Sequence, residues 1–226
     1  MPTTLHVPSS LFSSVRMLFL GVIAAIALTL AATPAARAAT EVESFVQQNI
    51  NTGLAILNDN SLNNGQRRDK FRAFILGLTD MKRIAIFTLA RYRRGAADKD
   101  LDGFVSAFTD YANAVYEQQL SKYKGQTMKV VSSTPHGSND FIVNVQVPDT
   151  RGGQPINAAF RVMTDTGKPL VIDVQVEGVW LAITQRDQFA GFLQQHGGNI
   201  PTLSDYLIKQ AETIRTGKAS NTPGKQ

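Results

Sequence analysis

Apolar positions recur along this chain with two different periods, and the change of period divides it. Over residues 41–57, Val42, Phe45, Val46, Ile50, Leu54 and Leu57 trace one helical stripe, with gaps at Asn49 and Gly53. Residues 58–65 are turn-rich, and a second helix is predicted over 66–78. It places Phe71, Phe74, Ile75 and Leu78 on one side, and leaves Arg67, Arg68, Lys70 and Arg72 as a solvated face. The third helix, 80–94, is apolar nearly all round (Ile84, Ala85, Ile86, Phe87, Leu89, Ala90, Tyr92), which predicts burial between layers. The fourth, 98–123, is the longest predicted, with Leu101, Phe104, Val105, Phe108, Tyr111, Ala112 and Val115 inward and Tyr116, Leu120 and Tyr123 along another edge.

From residue 126 the period falls to two. Strands are predicted over 127–133, 141–147, 156–163 and 170–179. Phe141, Val143, Val145 and Val147 share a face of the second, and Ile156, Ala158, Phe160 and Val162 a face of the third. In the fourth, Ile172, Val174 and Val176 alternate with Asp173, Gln175 and Glu177, and Gly178 marks a bulge or close backbone approach. Short connectors imply an antiparallel meander. A helix follows through Phe189, Phe192, Leu193 and His196, with Thr184 and Asp187 as an imperfect capping box and Gly197-Gly198 as its stop. A last helix spans 199–207, with Ile200, Leu203, Tyr206 and Leu207 inward and Ile214 as an outlying member. The expected fold is α+β: N-terminal helices, a four-stranded antiparallel curved sheet of nuclear-transport-factor or cystatin type, and C-terminal helices around an apolar cavity.

Composition then separates a leader from the domain. Arg16, the apolar run 17–30 and Ala36-Arg37-Ala38 before Ala39 read as a signal peptide cleaved near Ala38. The run is short for a membrane span. The expected organisation is residues 1–38 as leader, 39–216 as one domain and 217–226 as a disordered tail. Removing Arg16 and Arg37 lowers the net charge from +5 to +3, which suits weak attraction to an anionic membrane and does not argue for nucleic acid. The chain has no cysteine, which excludes disulfides, zinc ribbons and thiol chemistry.

Catalytic motifs are missing. His136, in a predicted turn, and His196, at a helix end, have no acidic or histidine neighbour at metal spacing, so neither a metal nor another cofactor is expected. Asp173 and Glu177 share a strand face, and a polar sheet face or a salt bridge to Arg161 accounts for them better than acid–base work does. Arg91, Arg93 and Arg94 around Tyr92 read as cations at a helix C-terminus, where a lipid phosphate is a weaker second reading.

The run Asp173-Val174-x-Val176-Glu177-Gly178-Val179, followed by Leu181, Arg186 and Phe189, resembles the signature of the MlaC family, also called the toluene-tolerance family. Leu89 with Tyr92, and the spacing Phe104, Phe108, Tyr116, Leu120, Tyr123, Gly125, fit it too. Trp180 stands where most members have Ser and is similar to the hopanoid-associated HpnM branch. The resemblance implies a periplasmic, non-enzymatic, monomeric lipid carrier serving an ABC-type lipid transport system. It holds a phospholipid or hopanoid and exchanges it with an inner-membrane MCE-type complex or a hopanoid exporter. The residues expected to line its cavity are Leu89, Tyr92, Phe104, Phe108, Val145, Phe160, Val174, Val176 and Trp180, all equally readable as core. Two other classes stay open: an isomerase- or dehydratase-like enzyme on a similar sheet, and a ligand-free periplasmic adaptor.

Overall fold

The computed structural model describes residues 34–120, 125, 127–148 and 153–217. The predicted leader run 17–30, Tyr123 and most of the predicted tail lie outside the described residues. Residues Met1–Ala38 and Ala39–Gln226 form separate contact units, and of the first only its helical end is described.

Two helices come first, α1 (Pro34–Leu57) and α2 (Asn64–Leu78). A full capping box starts α2: Asn63 Oδ1 accepts from the Gln66 amide and Gln66 Oε1 accepts from the Asn63 amide, both at 3.0 Å. The helix expected over 80–94 is broken. It divides into α3 (Met81–Thr88) and a 3-10 turn (Ala90–Arg93), with Ala90 at φ 51°. Two features accompany the break. The Thr88 hydroxyl donates to the Ala85 carbonyl at 2.7 Å, competing with the helical ladder. Leu89 is fully buried, which supplies packing to offset the left-handed residue beside it. The next helix is α4 (Asp98–Leu120), with 23 described residues, and positions 121–123 of its expected span lie outside the described residues.

The sheet is an antiparallel meander of five strands, β1 (Lys129–Gly137), β2 (Asp140–Val147), β3 (Ile156–Met163), β4 (Leu170–Val176) and β5 (Val179–Trp180). The fifth arises because Glu177 and Gly178 both take positive φ, 48° and 84°, the requirement of a two-residue hairpin turn that matches strand twist. Gly178 is thus a turn residue. The bulge lies instead at Ile172: Arg161 faces Asp173 while Val162 faces Val171, so the extra residue reverses the alternation and Val171 takes the buried place. β1 runs to Gly137, so His136 is in an edge strand and not in a turn, and Pro135 is tolerated at that edge.

Two helices close the fold, α5 (Leu181–Gln195) and α6 (Ile200–Thr216). The predicted Thr184–Asp187 box does not form. α5 begins earlier, and Thr184 Oγ1 donates to the Trp180 carbonyl at 2.9 Å. α6 runs well past the expected end, from an Asn199 cap on the Thr202 amide (2.9 Å) to left-handed Gly217. A solid core joins α3, α4, α5 and α6 around Leu89, Phe104, Phe108, Phe189, Leu193, Leu203 and Leu207. Phe189 meets Phe104 and Phe108 edge-on at 6.0 and 6.3 Å.

Candidate functional site

The first two helices do not share that solidity. α2 has no buried residue, although its apolar face carries Phe71, Phe74, Ile75 and Leu78. The four line an apolar cavity of about 130 Å³. α1 supplies the facing wall with Val46, Ile50, Leu54 and Leu57, and the sheet side is closed by Phe160, Val171 and Met128. Among the described lining residues Asn49 is the one polar side chain, and its Nδ2 donates to the Phe45 carbonyl at 2.8 Å within its own helix. Nothing polar is thus left asking for a partner inside.

Gly53 sets the spacing of the two helices. A Cβ there would stand 3.2 Å from Phe74 Cε1 and 3.7 Å from Phe71 Cε2, so only glycine lets the rings come this close without shifting. α2 is fastened at both ends and, on its polar side, at Arg72 near its middle. Its C-terminal junction joins β4, where the Asp80 amide donates to the Val171 carbonyl at 3.3 Å. Arg67 Nη2, near its N-terminus, donates to the carbonyls of Asp59 (3.0 Å) and Leu62 (3.1 Å). Arg72 pairs with Glu117 of α4.

An apolar void of this size is a cost to the fold. At about 24 cal/mol per Å³, 130 Å³ forgoes at most about 3 kcal/mol of packing, and less because the cavity is partly open. It is close to the ~150 Å³ that accepts a six-carbon ring. On that scale a sixteen-carbon tail needs roughly 400 Å³. The void as it stands is therefore smaller than one such tail.

The nine expected lining residues divide between this cavity and other places. Phe160 lines it. Leu89, Phe104 and Phe108 sit in the solid helical core, and Tyr92 packs against that core from the 3-10 turn. Val145 is buried opposite Ala158 on β3, Val174 faces Phe160, and Val176 is 40% exposed beside Val179. Trp180 pairs with Gln175 and leads into α5. The α1 and α2 residues were visible in the sequence only as two ordinary stripes. Their one local signal is the pair of gaps, Asn49 and Gly53, that interrupts the first.

Among the described residues no three His, Cys, Asp or Glu side chains come together to hold a metal. No described helix is long and apolar enough to cross a membrane. The family model of the MlaC protein matches residues 47–209, well over half the chain. The chain belongs to the MlaC family. Its fold is similar to that of a phospholipid-binding protein from Ralstonia solanacearum, solved in complex with a phospholipid. The TM-score is 0.68 at 20% identity, over 76% of this chain and 98% of that one. No curated protein matches the sequence.

The MlaC-like run from 173 to 189 has a structural reason. Asp173 Oδ1 accepts from the Ala182 amide at 2.9 Å and from the Val174 amide at 2.8 Å, so it caps α5 from the neighbouring strand. Burial pushes its carboxyl above the ordinary carboxylate range, opposed by those amides and by the Arg161 charge. Arg161 itself bonds Asp140 (2.6 Å), so the expected alternative of an Arg161–Asp173 salt bridge does not form. Glu177 Oε1 accepts from the Asn157 amide at 2.7 Å, Gly178 makes the turn, and the Arg186 guanidinium lies 5.3 Å over the Phe87 ring. Both carboxylates serve backbone amides rather than facing each other as an acid–base pair.

Proposed function

We propose that this protein is a periplasmic lipid carrier that takes one or more acyl tails, or a hopanoid skeleton, into the space between α1, α2 and the sheet. The observation that supports this best is α2, a helix with four large apolar residues and none buried, standing over an unfilled apolar cavity. A tail of sixteen carbons that leaves water there gains on the order of 12 kcal/mol at about 0.8 kcal/mol per methylene. A carrier that shields the tails removes most of the barrier to crossing an aqueous compartment. No residue has to react, and the engagement of Asp173 and Glu177 by amides weighs against the isomerase reading.

In this reading residues 1–38 direct export and are removed near Ala38, and the mature protein works as a monomer. It exchanges lipid with an inner-membrane MCE-type complex, or with a hopanoid exporter if Trp180 marks that branch. The test is organic extraction of mature protein purified from the periplasm, followed by mass spectrometry. A phospholipid or hopanoid at near one per protein is expected. A folded protein that yields a clean extract and takes nothing from vesicles would leave the adaptor or enzyme reading standing.

A further inference from the structure

Beside the apolar cavity lies a polar seam between α2, α4 and α6. A surface cleft of about 810 Å³ is walled by Arg67, Arg68, Arg72 and Arg215, with Asp69 and Glu117 as its acidic members. Arg72 pairs with Glu117, and Arg215 pairs with Asp110 at 2.6 Å. Arg68 is exposed and has no partner among the described residues, and Arg67 bonds only carbonyls and the Asn64 side chain. The cleft therefore holds positive charge that its own carboxylates do not neutralise.

Between cleft and cavity is a void of about 10 Å³ that shares Arg68, Arg72 and Glu117 with the first and Phe71 and Ile75 with the second. Two of the polar groups lining it are shut away from water and unpaired. Asn113 is only 7% exposed and its Oδ1 has no hydrogen-bond partner, and neither has Arg72 Nε. Buried polar groups are nearly always bonded, so an unpaired amide oxygen and an unpaired guanidinium N–H on residues lining one void point to a missing polar occupant that both donates and accepts. A space of this size holds one water or one small polar group of a larger ligand.

We propose that this seam receives the head of the guest lipid: a phosphate ester lies in the cleft on Arg68 and Arg72, one of its oxygens accepts from Arg72 Nε, a head-group hydroxyl or the one water the void can hold donates to Asn113 Oδ1, and the tails pass Phe71 and Ile75 into the cavity. The placement rests on the carrier reading above and deepens it. It selects a lipid with an anionic phosphate over an uncharged one of equal tail length, because charge-assisted hydrogen bonds to arginine form only with the former. The helix face that reads as plain solvated charge is then part of the binding site.

Uptake is measured from vesicles doped with phosphatidylglycerol or with diacylglycerol of the same tails, for the unaltered protein and for Arg68→Glu. Far-UV circular dichroism and thermal unfolding confirm that each is folded, and Arg68→Gln replaces Arg68→Glu if the latter is not. The unaltered protein should prefer the phosphate lipid by roughly tenfold or more, the worth of one charge-assisted bond. The Arg68 variant should lose that preference while diacylglycerol uptake stays the same. Equal uptake of both lipids by the unaltered protein, or an equal fall in both with the variant, would overturn the head-site assignment while leaving the carrier reading intact. Uptake of neither lipid would overturn the carrier reading and this one with it. Glycerol 3-phosphate serves as the lipid-free probe: binding that depends on Arg68 but does not compete with lipid would make the cleft a site for a soluble phosphate ester instead.

Discussion

Replacing Gly53 with leucine separates a functional cavity from a packing defect. The new Cβ would begin 3.2 Å from Phe74 Cε1, and its branched end would enter the 130 Å³ space. Three effects bear on stability. Loss of a helical glycine gains about 0.8–1 kcal/mol. Filling the void recovers up to about 3 kcal/mol. Crowding of the Phe74 ring costs about 1–3 kcal/mol. The lipid-free variant should therefore unfold no more than about 2 kcal/mol below the parent, a fall of at most roughly 8 °C in Tm. Lipid binding responds differently. Each methylene that no longer fits forfeits about 0.8 kcal/mol, so excluding four weakens binding by about 3 kcal/mol, a factor of roughly 200. Thermal unfolding together with vesicle uptake reads both quantities. A Gly53→Leu protein that still holds a full complement of lipid, and releases it at the parental rate, would refute the placement of the tail between α1 and α2.

Phe104→Ala should cost about 3–5 kcal/mol in urea unfolding because Phe104 is fully buried among packed rings. Phe74→Ala, on the cavity wall, should cost well under half of that and yet impair lipid retention; equal destabilisation by the two would mean that α2 belongs to the solid core. Asp173→Ala strands the buried amides of Ala182 and Val174 and should cost about 2–4 kcal/mol, whereas Asp173→Asn keeps the accepting Oδ1 and should stay within about 1 kcal/mol of the parent. The Asp173 carboxyl titrates above its usual 3.8, so the folded state holds that proton more tightly than the unfolded chain. Its contribution to stability is full below 3.8 and is lost as pH rises through the folded value, and Asp173→Asn should flatten stability over that window. The opposite sign applies to Asp110, held low chiefly by its hydrogen bond from Arg215: its contribution is present above 3.8 and is lost as pH falls through the lower folded value, so Asp110→Asn should matter at neutral pH and not in strong acid.

The class of fold was legible because both periods are carried by large apolar residues. β3 falls on its predicted bounds, and the α2 stripe survives intact. What escaped depends on single backbone positions that leave the hydrophobic pattern nearly unchanged. Ile172 is as apolar as Val171, so the alternation cannot say which of them the bulge expels. Val179 continues the run past Val176, which hides the turn at Glu177-Gly178. Residues 84–90 are apolar nearly all round and so give little phase in which a break at Ala90 would register. The site was harder still. A stripe shows which face of a helix turns inward but not whether the inward space is filled. Phe104 and Phe74 look alike in sequence and differ only in what stands opposite them. Arg67 and Arg72 read as solvent-facing because long cationic side chains extend out from partly covered stems, yet both bury their Nε atoms.

The most direct test of the central claim is photocrosslinking of the loaded protein with a phospholipid bearing a diazirine midway along one tail, followed by peptide mapping. Adducts on Ile50, Leu54, Phe71, Phe74 and Phe160 are the predicted outcome. Adducts confined to the Phe104–Phe108–Phe189 cluster, or spread over the outer surface with none on α1 or α2, would contradict it.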